Sequence, residues 1–155
     1  MLTTYLRTLL GGAVGLCANF LLLGIADRMG VVTARGGFQR LVKMWTGPAL
    51  QTLGADRIWA ACHLPDPGGP VFTNGFKIVV GLVFAVIYQW IKPLLPGVPL
   101  QKGLIYAVLV WMINAGIVLP ALGQGFAGIK TLSVAGIILF AIAHTAFFLV
   151  LAAIA

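Results

Sequence analysis

Thr131-Leu-Ser-Val-Ala-Gly-Ile-Ile-Leu-Phe-Ala-Ile-Ala-His-Thr-Ala-Phe-Phe-Leu-Val-Leu-Ala-Ala-Ile-Ala155 is the stretch that decides the fold. It carries no charged residue, and its apolar side chains run all round rather than along one stripe. A helix rises about 1.5 Å per residue, so roughly 20 such residues cross a hydrocarbon core about 30 Å thick. Strands of a membrane barrel would be about 10 residues long with alternating polarity, a pattern this run lacks. It reads as a membrane-spanning helix.

Three other stretches have a similar character: about residues 6–26 (uncharged from Thr8), 71–91 (with Lys77 near its start) and 103–122. Composition agrees. Soluble domains hold about 25% charged and 45–50% apolar residues, whereas these 155 residues are 8% charged and 61% hydrophobic. The first stretch competes with a signal-peptide reading, because Gly24-Ile-Ala26 resembles a cleavage site. It is longer than a signal core of about 7–15 residues and reads as a helix. The expected fold is all-α: one membrane domain over residues 1–155, with four transmembrane helices and an interfacial segment at about 37–61.

That segment is the amphipathic part of the chain. Phe38, Leu41, Val42 and Trp45 follow the i, i+3, i+4, i+7 rule, with Gln39, Arg40 and Lys43 opposite. An apolar face, an aromatic anchor and a cationic back describe a helix in the membrane interface, or a lid on the bundle. Gly47-Pro48 is expected to break it. Between the second and third spans Pro93, Pro96 and Pro99 recur every third residue, the repeat of a polyproline II strap. Gly11/Gly15 and Gly81/Ala85 offer close-packing seams between helices.

The net charge of +7 comes from ten Lys/Arg against three acidic residues. In short loops beside apolar spans, membrane topology and anionic headgroups account for such an excess, and no nucleic-acid motif accompanies it. Arg28, Arg35, Arg40, Lys43, Arg57, Lys77 and Lys130 fall on the side of the long first connection; Arg7, Lys92 and Lys102 fall on the other. This bias places the long connection in the cytoplasm and both termini outside.

Motifs for catalysis or metal binding fail on context. Gly123-Gln-Gly-Phe-Ala-Gly128 spells G-x-G-x-x-G but follows a span and has no acidic residue after it, so it reads as an inter-helix turn. Cys62, His63 and Asp66 lack the second ligand pair of a structural zinc site. All three Asp lie in the long connection, the spans hold one histidine, and Ser133 is the only serine. Carboxylate proton relays, bis-histidine haem and a Ser-His-Asp set are thereby excluded, and neither an enzyme nor a cofactor is expected.

Asn19, Asn114 and His144 form the notable polar set, each well inside a span. Polar groups at that depth face the bundle interior, where they hydrogen-bond one another or form a ligand or proton site. Lys77 can snorkel to the interface or point inward at an anionic headgroup. With Arg40, Lys43 and Trp45 it makes up the candidate headgroup set.

Residues 81–155 resemble small four-helix bacterial inner-membrane proteins of the YagU-like kind. The resemblance is carried by Gly81 and Tyr88, Gly103-x-x-Tyr106, Pro120-x-x-Gly123, and Ala143-His144 with an aromatic shortly after. The family's aromatic-glycine pair is Phe147-Phe148 here, with no glycine following. The resemblance implies the architecture and a histidine at position 144, and it implies no activity. The expected function is a non-enzymatic accessory or assembly subunit of a larger inner-membrane complex, partnered by lipid and by other subunits or copies of itself. The alternatives are a small oligomeric transporter or channel using Asn19, Asn114 and His144, and lipid-headgroup binding.

Overall fold

The computed structural model describes residues 2–155. Its helices are α1 (Leu2–Arg28), α2 (Gly37–Thr52), α3 (Ala55–Ala61), α4 (Pro70–Ile91), α5 (Pro99–Ala121) and α6 (Val134–Ile154). The protein is an all-α, polytopic membrane protein: α1, α4, α5 and α6 are each long and apolar enough to cross a bilayer. Helix ends follow local chemistry. Pro70 and Pro99 occupy first-turn positions, where a missing N–H costs nothing. The lone Ser133 caps α6, its Oγ accepting the Gly136 N–H at 3.1 Å, which starts that helix at Val134 rather than Thr131.

Small residues determine which helices touch. A Cβ on Gly15 would sit 2.7 Å from the Phe147 carbonyl oxygen, and one on Gly11 would lie 3.0 Å from that of Leu151, so α1 and α6 cross backbone to backbone. Gly12 meets Ala85 and Gly81 meets Leu16, which joins α1 to α4, while Gly103 fits against Phe148 and Ala152, which joins α5 to α6. The bundle therefore runs α4–α1–α6–α5. Its two end helices, α4 and α5, have no close backbone packing and meet through aromatic side chains. Tyr106 stacks on Tyr88 at 5.5 Å, lies edge-on to Phe148 at 4.7 Å, and donates its hydroxyl to the Phe84 carbonyl at 3.1 Å.

Two local expectations change. α2 runs through Gly47-Pro48 to Thr52, and the break comes at Gly54, whose φ of 67° ends the helix. A proline removes one donor without forcing a turn, whereas a left-handed backbone redirects the chain. The Pro93–Pro99 connection is not an extended strap. Leu94 N–H bonds the Ile91 carbonyl and Gly97 sits at φ 92°, so the segment folds into tight turns despite its three-residue repeat. Gly123, Gly125 and Gly128 also have positive φ, and build a compact turn between α5 and α6.

α2 lies against the start of α4 and the end of α5. Leu41 is buried, Phe38 meets Phe76 at 6.1 Å, and Trp45 is 65% exposed. Gln39, assigned by periodicity to the polar outer face, is instead buried, with Nε2 donating to Thr73 Oγ1 at 3.2 Å. The helix thus covers one end of the bundle with its first turns, and turns Trp45 outward further along.

Candidate functional site

A cavity of about 180 Å³ occupies the gap between α4 and α5. Its deep wall is apolar, formed by Leu16, Phe20, Phe84, Val110, Phe147 and Phe148. Its outer end is closed by Arg35, Gly36, Gly37, Phe38 and Gln39, the end of the loop before α2 and the first turn of that helix. Phe38 and Ile113 line it although they are 44% and 53% exposed, so it opens sideways, towards where lipid would lie.

Asn19, Asn114, His144 and Lys77 all line this one cavity. Counted at about 1.5 Å per residue from the helix ends nearest the long connection, His144 and Asn19 are roughly 15 Å deep. Asn114 and Lys77 are about 10 Å deep by the same count. Asn19, Asn114 and His144 form a polar band between a cationic outer end, lined by Arg35 and Lys77, and an aromatic interior. Arg40, Lys43 and Trp45 are not in it: all three are exposed on α2, and Lys43 Nζ donates to the Pro67 carbonyl.

Of the two expectations for these polar groups, mutual hydrogen bonding or a ligand or proton site, the first is not met. Among the described residues no hydrogen bond joins Asn19, Asn114 and His144. His144 instead uses its own helix. Its Nδ1 lies 3.0 Å from the Phe140 carbonyl oxygen, which can only accept, so Nδ1 carries the proton. That fixes the tautomer and leaves Nε2 as a free acceptor in the neutral ring. The Phe140 ring lies 4.1 Å from the imidazole and limits its rotation.

Interhelical polar contacts are made elsewhere. Buried Thr8 donates to Gln89 Oε1 at 2.8 Å, tying α1 to α4, and Gln39–Thr73 ties α2 to α4. Arg35 is outside the candidate sets read from sequence. It lines the outer end of the cavity and pairs with Asp27, which lies eight residues earlier at the end of α1. That spacing is the only hint of the pair in the sequence.

Asn114 owes its position to an irregularity in α5. Residues Asn114–Val118 form a π turn, in which Leu119 N–H reaches back to the Asn114 carbonyl. Pro120 explains it: in a regular helix its ring would clash with the Gly116 carbonyl and supply no donor. Widening the turn relieves the clash, and such π turns occur frequently at functional sites. No protein family, curated protein or solved structure matches the chain.

Proposed function

We propose that this protein binds an amphiphilic molecule taken sideways from the bilayer into the cavity between α4 and α5, and that its role is binding or carriage rather than catalysis. The observation that carries this reading is the gathering of Asn19, Asn114, His144 and Lys77 around one laterally open cavity. Hydrogen-bonding groups left free at membrane depth cost energy unless something polar meets them. Here they meet a space whose inner wall suits hydrocarbon. The cavity is smaller than the roughly 300–1,000 Å³ that encloses a whole drug-sized ligand. It therefore takes a headgroup and the first part of a chain, with the remainder left in the lipid. We infer a bacterial inner-membrane location, with the long connection cytoplasmic, from the Lys/Arg bias.

The test is photolabelling. The full chain is reconstituted in vesicles holding phosphatidylcholine or phosphatidylglycerol with a diazirine on the acyl chain. Label is expected on residues 110–118 and 140–148 in preference to the outward face of α5, and Val80→Trp, which fills the cavity, should abolish that preference. Uniform label around the bundle, unaffected by Val80→Trp, would overturn the reading.

The accessory-subunit reading keeps one observation in its favour. α4 is the least covered of the four spans, and Val79, Leu82, Val83, Val86, Ile87 and Trp90 form a shallow apolar groove on its outer face. A partner helix seated there should co-purify in fixed ratio in mild detergent, and Val83→Trp should release it. Isolation of the chain alone would count against this alternative.

A further inference from the structure

We infer that the occupant of this cavity is an anionic amphiphile, its phosphate or carboxylate held by Lys77 and Arg35 at the outer end while its chain lies along Phe84 and Phe148. This inference rests on the binding role proposed above and adds the charge of the ligand. Lys77 is half-buried inside a span, lines the cavity, and forms no ion pair or hydrogen bond among the described residues. A cation in such a place is costly without a counter-charge. Arg35 lines the same end and presents five donors, of which the Asp27 contact uses only part. Asp27 is thus the resident counter-ion, and an arriving headgroup competes with it for the guanidinium. Two cations against one carboxylate leave the outer end net positive.

The same anion could arrive as a lipid headgroup or as a free ion, and the deep wall favours the former. Buried Phe148 and half-buried Phe84 meet edge to face at 6.0 Å, a surface that offers nothing to a small hydrated ion. Asn19, Asn114 and the free Nε2 of His144 lie between the two ends, within the band a glycerol or ester linkage would occupy.

The measurement compares cavity labelling by diazirine phosphatidylglycerol and by diazirine phosphatidylcholine in the same reconstituted protein. Phosphatidylcholine carries the same phosphate but adds a quaternary ammonium that Lys77 and Arg35 repel, so wild type is expected to favour the anionic lipid by about tenfold. Lys77→Gln should bring the ratio close to one, Lys77→Arg should keep it, and Asp27→Asn should raise it above wild type. The last variant matters because a misfolded protein does not gain selectivity. Oleate should compete the label away, whereas inorganic phosphate at the same concentration should not. Cavity labelling equal for the two lipids, or a ratio unmoved by Lys77→Gln and Asp27→Asn, would overturn the anionic assignment and leave the binding role standing. Competition by phosphate as strong as by oleate would replace the lipid with a soluble anion. Absence of any cavity label would overturn both readings together.

Discussion

Gly15 and Thr8 do different work on the same helix, and magnitude separates them. Gly15 lets α1 approach α6 until a Cβ would stand 2.7 Å from the Phe147 carbonyl oxygen. That oxygen belongs to the backbone and cannot rotate away, so Gly15→Val should cost about 1–3 kcal/mol, the usual range for overpacking. Thr8 makes the interhelical bond to Gln89 at 2.8 Å. Such bonds average about 0.6 kcal/mol in a folded membrane protein and reach about 1.7, so Thr8→Val should cost less. Unfolding of both variants by titration with sodium dodecyl sulfate checks the order; an equal or greater loss in Thr8→Val would contradict it. The seam was legible from the four-residue spacing of Gly11 and Gly15, because close approach needs only the absence of a side chain. The Thr8–Gln89 pair was not, because a hydrogen bond depends on the rotation and height of two helices at once. For the same reason Asn19, Asn114 and His144 could be assigned a common depth but not a common cavity.

At the scale of the element, α5 shows how a local defect prepares a site. The π turn at Asn114–Val118 directly precedes Pro120 and relieves the clash of its ring, and the wide turn sets the azimuth of Asn114 relative to the helix below it. Pro120→Ala removes the cause. A regular helix would lose the extra residue from that turn, rotating everything on one side of it by about 100° relative to the other. The variant should be as stable as wild type or more so, since proline inside a helix costs about 3 kcal/mol. Its cavity labelling should fall several-fold as Asn114 leaves the wall. Stability and labelling measured on one preparation test this, and labelling retained at the wild-type level would separate the π turn from the site. The presence of Pro120 was plain in the sequence, but its outcome was not. A proline can kink, end or widen a helix, and the choice depends on what the neighbouring turn packs against. α2 repeats the point: periodicity located the helix, yet Gln39 faces inward because Thr73 on α4 offers it a partner.

For the whole molecule, the orientation of the bundle decides which leaflet feeds the cavity. The outer end of the cavity, with Arg35, Gln39 and Lys77, is on the side of the long connection, the side that also carries most of the Lys and Arg. On the far side two of the three cations are already engaged, Lys92 with the Ala155 carbonyl at 3.1 Å and Lys102 with the Lys92 carbonyl at 2.9 Å. Burial and the adjacent Lys102 also hold the Lys92 amine below its usual pKa. The raw count of seven Lys/Arg on the side of the long connection against three on the other is what favours a cytoplasmic long connection. The chain's own cysteines test this. Cys62 is exposed in the long connection, while Cys17 faces outward from the middle of α1, where an aqueous reagent cannot meet a thiolate. In intact bacterial cells a membrane-impermeant maleimide should leave the protein unlabelled. After permeabilisation it should add one label, and Cys62→Ser should remove that label. Labelling of Cys62 in intact cells would invert the bundle. The cationic end of the cavity would then face the outer leaflet, and the anionic amphiphile would have to be drawn from the opposite side of the membrane.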